Sequence, residues 1–77
     1  MYEENIFLLI IALAESAANE YREYKTILKN RTLNRNERAY FKLRAEETLN
    51  FFDSPLFITA FGEQKANFIK EELRKEN

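Results

Sequence analysis

The chain has no cysteine and no histidine. Disulfides, thiolate nucleophiles and the commonest zinc ligands are excluded together. A Ser-His-Asp or Cys-His arrangement cannot be assembled from these residues. Aspartate occurs once, at Asp53, which leaves acid–base chemistry to the glutamates. The adjacent pairs Glu46-Glu47 and Glu71-Glu72 fall on predicted helices. Neighbours about 100° apart round a helix do not converge on one proton or metal. The expectation is a protein that is not an enzyme, with no metal and no cofactor. The lack of cysteine also fits a reducing cytoplasm, the expected location.

Glycine and proline occur once each, at Gly62 and Pro55. Such sparse punctuation predicts helices with few tight turns. No alternating run suggests a strand. A spanning hydrophobic run is missing too. The apolar block Ile6–Ala14 is about half of the ~20 residues a membrane helix needs. Ala12-Leu13-Ala14 resembles a signal-peptide cleavage site, but Glu3 and Glu4 precede it where basic residues belong. The block is read as a helix of a soluble protein, and no membrane partner is expected.

What the chain does have is apolar mass for its size. Hydrophobic residues make up 45 % and aromatics 14 % of 77 residues, which argues against disorder. A chain this short forms one domain and buries only about 60 % of its unfolded surface. Without disulfides or metal, a partner subunit or efficient helix packing must supply the remaining stability.

The stretch Ile6–Leu28 reads as one long helix. Ile6, Leu9/Ile10, Leu13, Ala17, Tyr21, Tyr24 and Leu28 recur at spacings of three and four and form the predicted core stripe. Phe7, Ile11, Ala14 and Ala18 form a second stripe beside it, and Leu8 and Ala12 extend the apolar surface further round. A helix apolar on every side must be buried on every side. Three short neighbours cover one side only, so a homodimer is expected. Its interface residues would be Phe7, Leu8, Ile11, Ala12, Ala14 and Ala18. The plainer reading of the alanines is high helix propensity. Tyr21 and Tyr24 are expected to close the end of the core with their hydroxyls toward water.

Asn30 is the expected terminator of this helix, in the left-handed conformation that asparagine tolerates. Asn34 with Glu37 resembles a capping box and predicts a second helix from about Arg35 to Phe52. Its stripe is Phe41, Ala45, Thr48/Leu49 and Phe52. Ser54-Pro55 reads as N-cap and first helical residue of a short helix that ends by Phe61. Leu56, Phe57, Ile58 and Phe61 are its residues to bury. Phe51, Phe52, Phe57 and Phe61 fall within eleven positions, too many for one narrow helix face; most are expected in the core, the alternative being that one or two form an exposed partner groove or anchor. Gly62 separates it from a last helix, Glu63 to Arg74, with Ala66, Ile69 and Leu73 inward and a Glu71–Lys75 pair outside. The fold class is therefore all-α: a small helical bundle with a long N-terminal helix, a second long antiparallel helix, a short aromatic helix and a C-terminal helix.

The near-neutral total charge of −1 conceals a basic middle. Arg22 to Arg44 holds eight basic residues and two acids, against a net −4 before it and −3 after it. Lys25, Lys29, Arg31, Arg35, Arg38 and Lys42 would gather where the first two helices meet. Such a tip is the footprint of phosphate contacts. The plainer reading is that cations near a helix C-terminus complement its dipole, or meet acids of a neighbouring subunit.

One pattern resembles a known group. Tyr21-Arg22 is followed by a charged connection, then Glu47-x-x-x-Phe51-Phe52-x-Ser54-x-x-Phe57, Gly62-Glu63, and a final helix with Ile69 and Leu73. This is similar to small uncharacterised proteins encoded by phages and prophages of Gram-positive bacteria. The resemblance implies origin and size class, and brings no catalytic residues with it. The leading expectation is a phage or prophage accessory protein that binds a host or phage macromolecule as a regulator or inhibitor. The alternative is nucleic-acid binding through the basic tip.

Overall fold

A computed structural model describes residues 2–76. It contains four α-helices and, among the described residues, no strand. Helix α1 spans Tyr2–Leu28, α2 Arg35–Leu49, α3 Pro55–Phe61 and α4 Glu63–Lys75, with a 3-10 turn at Asn50–Asp53. The all-α architecture and the helix order agree with the sequence reading.

Local chemistry sets most of the boundaries. The Asn34 side chain accepts from Glu37 N–H at 2.7 Å, and the Glu37 carboxylate accepts from Asn34 N–H at 3.0 Å. This reciprocal box starts α2. The α-helix stops at Leu49, three residues short of the expected Phe52, and tightens into the 3-10 turn. The cause lies downstream. A residue before proline is pushed out of the helical region, and Ser54 is extended, with φ −67° and ψ 149°. The turn carries the chain to that break and fans Phe51 and Phe52 round the core. The Ser54 hydroxyl donates to the Phe51 carbonyl at 2.6 Å and accepts from Phe57 N–H at 3.3 Å, capping α3. Gly62, at φ 92° and ψ 157°, joins α3 to α4 directly.

Asn30 ends α1 by a different device from the one expected. No residue other than Gly62 has positive φ among those described. Instead its side-chain oxygen accepts from Thr32 N–H at 2.9 Å and from the Thr32 hydroxyl at 2.8 Å, a local turn that competes with the helix.

The helices run up, down and up. Arg38 of α2 reaches Leu28 at the end of α1, and the Tyr24 and Phe41 rings lie 6.1 Å apart, so α1 and α2 are antiparallel. Helix α4 returns beside both, tied by Arg74 to Glu46 at 3.0 Å, Arg22 to Glu76 at 2.9 Å, and Lys70 to Asp53. Helix α3 lies across the far end. Residues three and four back along a helix both neighbour Lys75; its ammonium lies 3.7 Å from the Glu72 carboxylate and forms no ion pair with Glu71.

The core is small and aromatic. Leu49, Phe52 and Ala66 are sealed from solvent, with Ile10, Tyr21, Phe57 and Leu73 nearly so. The Phe52 and Phe57 rings meet edge to face at 5.2 Å, and Phe51 and Phe61 pack on Phe57 at 5.8 and 5.0 Å. Edge-to-face pairs add about 0.5–1.5 kcal/mol each beyond area burial. Phe52 and Phe57 are thus core, and Phe51 and Phe61 are partly buried against it.

The phase of α1 differs from the expected stripe. Ile10, Ala17 and Tyr21 are buried, with Ala14, Ala18, Tyr24 and Leu28 half-buried, whereas Ile6, Leu9 and Leu13 are exposed. The reason is length. A helix of 27 residues extends about 40 Å, while 15- and 13-residue partners extend about 20 Å. Among the described residues, Ile6, Phe7 and Ile10 of the first turns of α1 lie beside α3. Leu56, expected inside, is also exposed, since α3 turns Phe57 and Phe61 inward.

Candidate interaction surfaces

The N-terminal half of α1 is an uncovered apolar surface. Ile6, Phe7, Leu8, Leu9, Ile11 and Leu13 expose between 41 and 63 % of their surface. Averaging near one half, they amount to about three large side chains left in water. At about 1.5–3 kcal/mol for burying each such side chain, roughly 5–9 kcal/mol of hydrophobic stabilisation is unclaimed. For a domain whose total stability is on the order of 5–15 kcal/mol, that is a large share.

Of the six residues the sequence assigns to an interface, Leu8 and Ala12 point outward and are exposed. Phe7 leans on α3, with its ring 6.0 Å from that of Phe61. Ile11, Ala14 and Ala18 face a groove between α1 and α4. The groove has a volume of about 490 Å³. Phe52 and Phe57 lie at its base, and Phe61 and Ile69 line the side opposite α1. Glu15 and Lys65 stand on its two edges. The sequence places Ile69 in the core, Phe61 among rings that are core or partner groove, and Ile6, Leu9 and Leu13 in the stripe buried within the chain. The last three were visible as a stripe. Their outward direction depends on where α2 ends.

The basic residues divide by what they touch. Arg22 forms a two-pronged contact with Glu76, at 2.9 and 3.1 Å, and this hydrogen bonding holds the Glu76 carboxyl below its usual range. Arg44 pairs with Glu47 at 3.3 Å. Arg38 donates to the carbonyls of Leu28 and Asn30 at 2.8 and 3.0 Å, which closes the hairpin and takes up two of its five N–H donors. Lys25, Lys29, Arg31, Arg35 and Lys42 form no ion pair among the described residues. The Lys25 ammonium lies 5.8 Å from the centre of the Tyr21 ring. Lys25 and Lys29 border a second hollow with Tyr21 and Leu73, on the α4 side of the tip.

Tyr21 itself is buried, and burial raises its phenol above the ordinary value, with Glu46 adding to the effect. No group of three metal-ligating side chains occurs among the described residues. No described helix is long and apolar enough to cross a membrane. Comparison with protein-family models finds no match, and neither do comparisons with curated proteins and with solved structures.

Proposed function

We propose that this chain is a small non-enzymatic accessory protein of phage or prophage origin that acts by binding a host or phage macromolecule, as a regulator or inhibitor, and that it works as a homodimer. The origin is supported by the resemblance in the Tyr21-Arg22, Phe51–Phe57 and Gly62-Glu63 segments. The mode of action is supported by one observation above all. Six large apolar side chains in the first half of α1 remain in water, and contiguous exposure on this scale marks an interaction site. Sedimentation of the wild type and of Leu8→Glu is the test. A wild-type dimer at micromolar concentration, converted to monomer by the charge, is the expected result. A wild-type monomer would overturn the assembly part of this reading.

A second reading rests on the five cations at the α1–α2 tip that form no ion pair among the described residues. They would bind nucleic-acid phosphates without base specificity. Titration against duplex and single-stranded DNA and RNA at two salt concentrations tests it. Phosphate binding weakens steeply as salt rises, because each contact releases condensed counterions. No binding at low salt would sink this reading and leave the first intact.

A further inference from the structure

The long helix carries both a ridge and a hollow. Ile11, about two-fifths exposed, lines the groove beside α4 together with Ala14 and Ala18, and Phe7, about as exposed although its ring meets Phe61, continues the same stripe toward the N-terminus. The four residues are spaced four, three and four apart, the repeat that seats knobs of one helix in holes of another. A partner must fill the hollow and also cover the ridge. A second copy of this chain offers both.

We propose that two copies pair their α1 helices antiparallel about a twofold axis, each laying its Phe7–Ile11 ridge in the α1–α4 groove of the other. This rests on the reading of α1 as an assembly surface and names the seat. A twofold axis requires that if one residue meets another, the reverse contact is also made. With the axis midway between Ile11 and Ala18, the Ile11 of each copy packs on the other copy's Ala18. The alanines give the large side chain room.

Charge agrees with this arrangement. Glu15 on the α1 edge of the groove and Lys65 on the α4 edge are both exposed. Neither forms an ion pair within the chain among the described residues. In the antiparallel pair, Glu15 of each copy lies near the axis and reaches the other copy's Lys65, which separates the two glutamates.

The test uses charge exchange between chains. Glu15→Lys places two lysines together across each contact, and Lys65→Glu places two glutamates together. Each single variant is expected to weaken self-association about tenfold, since two symmetry-related surface pairs are lost per dimer. An equimolar mixture of the two variants restores it, because each mixed dimer regains both opposite-charge contacts. Ala18→Phe fills the groove and is expected to give a monomer of unchanged helicity. If that variant does not fold, the charge variants decide alone. A wild-type monomer would overturn this inference together with the assembly reading. A dimer indifferent to both charge variants would overturn the seat alone. So would singles whose mixture stays weak while the double variant Glu15→Lys/Lys65→Glu recovers, since that pattern belongs to a contact within one chain.

Discussion

The Arg38 guanidinium donates to the Leu28 carbonyl at 2.8 Å, joining the first turns of α2 to the last residue of α1. The last carbonyls of a helix have no partner inside it. Here a side chain from the next helix supplies one, and a second donor of the same group reaches Asn30. Hydrogen bonds to charged groups contribute about 1.5–3 kcal/mol. Arg38→Ala is therefore expected to destabilise the fold by about 2 kcal/mol in urea unfolding. Arg38→Lys recovers only part, since an ammonium lacks the planar fork. Lys29→Ala serves as the comparison. It removes the same charge from the same tip and is expected to change stability by less than about 0.5 kcal/mol.

Features closed within a few residues were legible in the sequence. Asn34 with Glu37, Ser54 with Pro55, and Gly62 each bracket a helix by short-range geometry, and each lies where it was expected. The inward phase of α1 was not legible. Ile6 to Leu13 is apolar at every position, so a 3.6-residue period has no polar side from which to take its direction. Ile10 faces inward and Leu9 outward because of where the 3-10 turn and α3 fall. The role of Arg38 was hidden for a related reason. Its acceptors are backbone carbonyls in another helix, and they leave no mark in side-chain spacing.

Gly62 is predicted to resist substitution despite open space. A Cβ placed there meets nothing within 4 Å. The cost is in the backbone alone, since φ 92° with ψ 157° is a region nearly confined to glycine. Gly62→Ala is expected to lower stability by about 1–3 kcal/mol, and Gly62→Val by at least as much. Equal stability of wild type and Gly62→Ala would show that the α3–α4 joint relaxes at little cost.

Stability is predicted to fall at both ends of the pH range, through different residues. Burial holds the Tyr21 phenol above its usual value of 10.0, so the native state keeps a proton that the unfolded chain loses. That contribution is whole below pH 10 and is lost as pH rises through the raised native value. Tyr21→Phe should flatten the alkaline limb. At Glu76 the sign reverses. Hydrogen bonding from Arg22 lowers its carboxyl, so the contribution is present above the usual 4.5 and is lost as pH falls through the lowered value. Glu76→Gln should make the acid limb shallower, by a small amount because the pair is about half exposed. Urea midpoints across pH measure both.

Leu8 and Ile10 sit two positions apart on one helix and are predicted to fail in opposite ways. Leu8 exposes 63 % of its surface and Ile10 exposes 2 %. A glutamate at position 10 would place a carboxylate in the buried cluster that also holds Phe52 and Phe57. An uncompensated buried charge costs several kcal/mol, comparable to the whole stability of a domain this size. Ile10→Glu is expected to lose helicity by circular dichroism at any concentration. Leu8→Glu changes no contact of the core, so its helicity at high dilution should match the wild type. Its deficit should appear only in association, as a melting temperature that no longer rises with protein concentration. Wild-type melting that is itself independent of concentration would remove the distinction. The exposed leucine would then be a solvated side chain, and the apolar half of α1 would await a partner other than its own copy.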